Sequence, residues 1–311
     1  MKKKKKIDIS IKRYNRFSDY MKEKFGQKII KISLNAGLTC PNIDGTKAYG
    51  GCTYCSISGS GDFAGNPADE LVEQFYNIKN MMNKKWKDGL YMPYFQAFTN
   101  TYAPLKVLRE MYESVLYLDG VIGLDIATRP DCLEDDVVEY LGELSKKHEI
   151  WVDLGLQTIY DKTAKIINRG HDYEEFLVGV KKLRDKNINV CVHIINGLPY
   201  EDKEMMLNTV KAINKLDIQA LKIHLLLVLK DTPLANMYEK GKFQALTKEQ
   251  YVDIVCDQLE ILREDILIQR LTADAPRDEI IAPRWSIKKF ELLNAIDWSL
   301  VERDSYQGKL F

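Results

Sequence analysis

The stretch Leu34-Asn-Ala-Gly-Leu-Thr-Cys40-Pro-Asn-Ile-Asp-Gly-Thr-Lys-Ala-Tyr-Gly50-Gly-Cys52-Thr-Tyr-Cys55 decides how the rest of the chain is read. Eleven residues separate Cys40 from Cys52, and two separate Cys52 from Cys55. A β-type run, 28–34, leads into it. Pro41, Gly45, Gly50 and Gly51 keep the segment irregular, so three thiolates can turn toward one point. Iron–sulfur clusters are held by Cys thiolates, usually four. A cluster held by three leaves one iron open to a non-protein ligand, which is the logic of catalytic metal sites. The competing reading is a structural zinc site completed by a distant His or a fourth Cys. None of the four His (148, 171, 193, 224) is near in sequence, and Tyr54 between the last two Cys favours the cluster.

The chain has 311 residues, 45 Lys plus Arg against 45 Asp plus Glu, and 45% apolar residues. That length suits one large α/β domain with appendages, or two domains. No apolar run reaches membrane-spanning length. The basic start, Met1 to Lys6, is followed by 7–12 (IDISIK), which is no signal-peptide core. The expected location is cytoplasmic, with no membrane partner. Six Cys in a cytosolic chain point to metal or reactive thiols rather than disulfides. Cys132, Cys191 and Cys256 are scattered and read as small buried hydrophobes. Zero net charge gives no global steering toward nucleic acid. The lysine run reads as a solvated tail.

Beyond the loop, short apolar segments alternate with helical patterns. Strands are expected at 28–34, 92–98, 121–127, 150–156, 189–196 and 220–229, the later ones apolar and β-branched as in a sheet buried on both faces. Helices are expected at 67–87, 104–117, 134–147, 172–186 and 202–215. The first has Asn66 as N-cap and Pro67 at its first position. Six such alternations predict a partial (βα)6 TIM-like barrel with right-handed crossovers. The cysteine loop follows the first strand at its C-terminal end, where α/β barrels place their chemistry. The expected domains are an N-terminal extension at 1–27, the barrel at 28–230 and an α-rich extension at 231–311 covering it. The alternation is expected to stop at Lys230, with helices at 247–264 and 286–296. Dinucleotide, phosphate-loop and nucleophile-elbow motifs are absent.

The three-Cys loop after a first strand resembles the radical S-adenosylmethionine (SAM) superfamily, with a lengthened first spacing. Most members carry three residues between the first two Cys; long gaps like this one occur in the elongator-type branch. The resemblance covers about 28–230, and similarity to the YhcC/YtqA-like subfamily extends to the C-terminus. It implies a 4Fe-4S cluster on Cys40, Cys52 and Cys55, with SAM on the remaining iron. Gln157, ending the fourth strand, matches a ribose contact of the oxygen-independent coproporphyrinogen oxidases. Arg169, in Ile167-Asn-Arg-Gly-His171, matches an Arg directed at the methionine carboxylate, which a guanidinium fork suits. Gly197, in the turn ending with Pro199, would bring backbone to the adenine. His193 stands where many relatives carry an acid, and reads either as a SAM contact or as a satisfied buried His.

A Gly-Gly-Glu-like motif usually ends the second strand and binds the SAM amino group. This chain lacks it, and Gln96, Thr99, Asn100 and Thr101 are the expected substitutes. Thr128-Arg-Pro-Asp131 matches a motif of the elongator and coproporphyrinogen-oxidase branches, or is a turn with an Asp cap. Lys222 and His224 are expected to face the barrel interior. Lys222, Asp274 and Arg277 are candidate substrate contacts. The resemblance implies a radical SAM enzyme served by a flavodoxin- or ferredoxin-type electron donor. It further implies a tRNA substrate, with carboxymethylaminomethyluridine at the wobble position converted to aminomethyluridine. The basic–aromatic 7–26 segment and Lys84, Lys85 and Lys87 could meet phosphate. The alternatives are a small metabolite or tetrapyrrole as substrate, or a non-catalytic Fe-S or zinc-binding scaffold.

Overall fold

The computed structural model describes residues 12–311 apart from 57, 60, 87 and 88, so the lysine run and Lys87 lie outside the described residues. In chain order the elements are α1 (Phe17–Phe25), β1 (Ile29–Leu34), α2 (Leu71–Asn83), β2 (Leu90–Phe95), α3 (Leu105–Leu116), β3 (Gly123–Thr128), α4 (Asp135–Ser145) and β4 (Glu149–Gln157). Then come α5 (Asp161–Ile166), α6 (Tyr173–Asp185), β5 (Asn189–Asn196), α7 (Lys203–Ile213), β6 (Ala220–Leu225), β7 (Val228–Leu229) and α8 (Pro233–Glu239). The chain ends with α9 (Lys248–Ile261), β8 (Leu267–Arg270), β9 (Ile280–Ala282) and α10 (Lys289–Glu302). Asp172 and Thr247 close capping boxes with Glu175 and Gln250, which fixes where α6 and α9 begin.

Two expectations need correction. The helix expected from Pro67 starts at Leu71, with Glu70 as N-cap. The Asn66 side chain instead accepts from the Ala68 backbone at 3.2 Å, an Asx turn that competes with a helical start. The alternation also resumes after Lys230: the sheet has seven strands in the order β1-β2-β3-β4-β5-β6-β8, every neighbouring pair parallel. The run expected to end at 229 splits into β6 and β7, and β7 pairs antiparallel with β9.

One sheet face carries Ile30, Ile32, Leu124, Ile126, Val152, Val192 and Ile223 into the main core beneath the helices. The alternate positions form the inside of the half-barrel, in layers. At the strand starts Met92, Trp151, Cys191, Ala220 and Leu267 cluster with Phe17 and Met21 of α1. The Phe17 ring meets Trp151 edge-on at 4.9 Å and 88°. Helix α1 therefore stoppers the end of the half-barrel opposite the cysteine loop. The first strand reaches the last through Lys31, whose Nζ donates to Gln269 Oε1 at 2.7 Å. Just before α1, Asn15 O accepts from Ile268 N at 2.7 Å, and Arg13 O accepts from Gln307 N at 2.9 Å, which binds the chain start to β8 and the C-terminal segment. No helix among the described residues is long and apolar enough to cross a membrane.

Phe17→Ala removes the ring that fills this stopper. It is expected to lower unfolding stability by about 3 kcal/mol, the usual cost of such a truncation, read as a shift in denaturant midpoint at unchanged slope.

Candidate active site

The cysteine loop turns on its own backbone, with Ile43 N donating to Cys40 O at 2.8 Å, Lys47 N to Pro41 O at 2.9 Å and Gly51 N to Asn42 O at 2.8 Å, and a turn far downstream in the chain anchors it. Asn42, fully buried, donates its amide to Asn168 O at 2.6 Å, Arg169 O at 2.8 Å and the Cys52 Sγ at 3.5 Å. The Asn168 amide returns to Gly51 O at 2.7 Å and Tyr49 O at 3.2 Å. Thr53 N donates to Ile167 O at 2.9 Å. Asn168 and Gly170 both sit at positive φ, 52° and 79°. A Cβ on Gly170 would lie 2.1 Å from Asn42 Oδ1, so only glycine leaves room for the Asn42 side chain against this turn. Arg129 completes the clamp: its guanidinium grips Asp131 in a fork at 3.0 and 2.8 Å and donates to Arg169 O at 2.6 Å.

No disulfide joins the six cysteines. Cys40, Cys52 and Cys55 are half-buried, whereas Cys132, Cys191 and Cys256 are buried, as expected. Hydrogen bonding from Cys55, then the Arg129 charge, draws the Cys52 thiol down to about 7 against burial. Among the described residues, the side chains whose ligand atoms converge within 4.8 Å as a three-membered group are Asp153, Cys191 and His193, not the loop thiols. The loop offers three thiols beside the positive charge of Arg129.

These thiols line one cavity of about 730 Å³ that runs down into the half-barrel. Gln157 stands at its upper wall. A register shift in β4 between Gly155 and Gln157 puts Gln157 at φ 61°, and its buried Oε1 has no hydrogen-bond partner. Deeper lie Lys31, Tyr94, Asp153, His193, Lys222, His224 and Gln269. Lys222 pairs with Asp153 and donates to the Tyr94 hydroxyl at 3.2 Å; Lys31 pairs with Asp125. The Tyr94 ring takes both ammoniums, Lys222 at 4.6 Å and Lys31 at 5.0 Å from its centroid. Burial works to raise the Asp153 carboxyl, but Lys222, His193 and Lys31 outweigh it and hold it well below the usual range. Burial first, then Lys222, draws His193 down to about 4, so it is neutral near pH 7. His193 stacks on His224 at 5.2 Å.

Gln96, Thr99, Gln157, Arg169, His193, Lys222, His224 and Asp274 all line the cavity, as do the three loop cysteines. Four expected SAM contacts take other roles. The Arg169 guanidinium, 1% exposed, is engaged by backbone carbonyls of His171 (2.9 Å), Leu156 (2.5 Å) and Thr158 (2.6 Å). Its fork secures the end of β4 rather than standing open to a carboxylate. Asn100 is fully buried and donates to Phe95 O, Ala97 O and Ala127 O, each at 3.0 Å, knitting β2 to β3 outside the cavity. Gly197, at φ 90°, packs against Leu246 and Leu226 and is not in the cavity wall. Thr101 is bonded to Thr128 and Cys132 O. His193 is not a satisfied buried His: its Nε2 is 3.3 Å from Asp153 Oδ2 but outside hydrogen-bond alignment. Sequence reading passed over Asn42, Arg129 as a charge beside the thiols, and the Lys31–Asp125 and Asp153 positions. The signal for the last three was a charge at an alternate position of an apolar strand.

The sequence profile of the radical SAM superfamily matches residues 46–213, and that of the radical SAM C-terminal domain matches 218–302. The uncharacterized protein YtqA of Bacillus subtilis is 56% identical over 300 residues, covering 96% of this chain and 93% of its own length. The tRNA uridine(34) acetyltransferase of Methanocaldococcus jannaschii is 29% identical over 164 residues, 51% of this chain and 30% of that one. Among solved structures, the Methanocaldococcus infernus Elp3 lacking its N-terminus superposes with a TM-score of 0.68 at 17% identity, over 90% of this chain and 64% of that chain, which shows a shared fold.

In metal-free protein, alkylation of Cys52 by iodoacetamide should be half-maximal near pH 7, since a depressed thiol is ionised above that value. Cys55→Ala, which removes the largest cause, should move the midpoint upward toward that of an ordinary thiol. Gly170→Ala, measured by the same alkylation, should expose the loop and raise the labelling rate of all three thiols.

Proposed function

The chain belongs to the radical SAM superfamily, and on that premise we propose that Cys40, Cys52 and Cys55 hold a 4Fe-4S cluster to which SAM binds. The observation that carries this reading is the meeting of three thiols with the partnerless Gln157 Oε1 at the top of a single cavity. A buried, unpaired polar atom calls for a partner that the polypeptide does not supply. Held by Cys40, Cys52 and Cys55, the cluster would supply one-electron reduction of SAM and, through it, hydrogen-atom abstraction from the substrate. The residues bind and orient. The Asn42–Arg169 clamp fixes the loop. Arg129 offsets thiolate charge. Gln157 accepts from the ribose, and Gln96 and Thr99, at the end of β2, face the amino acid end of SAM. An electron donor of flavodoxin or ferredoxin type supplies the reductant.

For the substrate we infer the wobble uridine of tRNA, with its carboxymethylaminomethyl side chain trimmed to aminomethyl: loss of a hydrogen atom from the carbon between nitrogen and carboxylate, then of one electron back to the cluster and one proton, would give an imine that water splits into the aminomethyl group and glyoxylate. The supporting observation is similarity, over half the chain, to an enzyme named for acting on tRNA uridine 34. The cavity wall also carries Lys12, Arg16, Arg270 and Lys289, each paired with a carboxylate of the chain (Asp297, Asp19 and, for the last two, Asp274), which a polyanion would have to displace.

Anaerobic reconstitution with iron and sulfide should give a charge-transfer absorbance and reductive cleavage of SAM to 5′-deoxyadenosine. Cys40→Ala, Cys52→Ala and Cys55→Ala should each abolish both. Bulk tRNA from cells lacking the gene should accumulate carboxymethylaminomethyluridine. An unchanged wobble-uridine profile would sink the tRNA reading while leaving the cluster reading intact.

A further inference from the structure

The polar layer beneath the SAM level has no use in the chemistry described so far. Six buried polar atoms in and around it lack hydrogen-bond partners: Asp125 Oδ1, Asp153 Oδ1, His193 Nε2, His224 Nε2, Gln269 Nε2 and, above them, Gln157 Oε1. Native interiors leave few such atoms. All of these residues except Asp125 face the same cavity. Asp153 stands four positions before Gln157 on β4, about 13 Å deeper at a strand's rise per residue. The layer therefore lies below the level assigned to SAM and above the α1 stopper.

We propose that this layer is a substrate subsite for a group carrying both an ammonium and a carboxylate. The inference rests on the tRNA reading and deepens it, because a carboxymethylaminomethyl side chain is such a group. Charge decides the class. The layer holds two lysines and two aspartates, ion-paired, with neutral histidines between them, and Arg270 beside His224 is matched by Asp274. A ligand of net charge would leave one buried charge uncompensated, which is strongly unfavourable. A dipolar ligand leaves the sum at zero. The free Asp153 Oδ1 accepts from its ammonium. The Gln269 amide, whose Oε1 is already held by Lys31, donates to its carboxylate, together with the remaining N–H of Lys222. Asp153 and Lys222 are thus positioned at the two ends of one short zwitterion, and the Lys222 charge holds the Asp153 carboxyl well below the usual carboxylate range before it arrives.

Two measurements on the full reconstituted chain test this. The first is saturation-transfer NMR with N-methylglycine, acetate and methylammonium as separate probes. N-methylglycine should bind, and acetate and methylammonium should bind at least tenfold more weakly. Single replacement of either ion-pair partner strands a buried charge, so the informative variant is Asp153→Asn with Lys222→Gln, which keeps the layer neutral and polar. Its iron content and melting temperature establish that it folds, and it should lose N-methylglycine binding at least tenfold. If N-methylglycine binds no better than the other two probes, the layer holds water only and the proposal falls. The second is turnover of tRNA carrying carboxymethylaminomethyluridine, where the double variant should show KM raised at least tenfold. An unchanged KM overturns the proposal. If the wild type converts no tRNA yet N-methylglycine binds selectively, the tRNA reading has failed and the subsite stands.

Discussion

The structure depends on one backbone-to-side-chain clamp. Asn42 lies between the first two cysteines, and the carbonyls it holds belong to Asn168 and Arg169, in the turn between α5 and α6. A loop rich in glycine has much conformational entropy to lose, and its own backbone turns restrain it only in part. The rest of the restraint comes from a turn whose own conformation requires positive φ at Asn168 and Gly170. Each half of the clamp is irregular and each fixes the other. The Arg169 guanidinium is part of the same device. By gripping Leu156 O and Thr158 O it holds the β4 bulge that places Gln157 at positive φ. One turn thus sets the cysteines and the Gln157 side chain together.

The second constraint is the way an open half-barrel is closed. A sheet of seven parallel strands leaves an unfilled gap between its first and last members. Here α1 plugs the end at the strand starts with Phe17 and Met21, and Lys31 reaches from β1 to Gln269 on β8. The interior changes from apolar at the stopper to charged one layer up, while the outer face of the same strands stays apolar. Burying two ion pairs in that layer gains little stability over well-packed hydrophobes and commonly costs some. A fold that needed only a core would fill these positions with valine and leucine, as its outer face does. The charges are arranged with their spare valences toward the cavity, which is what a binding floor requires.

How much of this was legible depended on whether the signal was local. The thiol spacing, Gln157 at a strand end and the helices expected from 172 and from 247 are written in a few adjacent residues, and α6 and α9 begin one residue after those positions. Arg169 was read correctly as important and wrongly as to target. The direction of its fork follows from the φ of Asn168 and the carbonyls of β4, neither visible in the motif. Asn100 failed for a similar reason: a polar residue after a strand offers the same letters whether it points into a cavity or bonds three carbonyls behind it. The start of α2 was misplaced because Asn66 is as good a turn former as it is a cap. The seventh strand is four residues of mixed polarity, too short for its period to speak.

The charged layer is the instructive miss. Lys31, Asp125, Asp153 and Lys222 each interrupt an otherwise apolar strand; Lys222 was expected to face the barrel interior, but the other three interruptions, taken alone, read as a solvent-facing alternation. Strands covered by helices on one side and closed by α1 and β8 at the end and edge have no such solvent-facing side at that depth. The four charges can then only answer one another or a ligand. Their pairing, Lys31 with Asp125 and Lys222 with Asp153, is long-range in sequence and exists only once the sheet has curled enough to bring β1 near β3 and β4 near β6. Curvature of the sheet is therefore what turns four separate irregularities of pattern into one site.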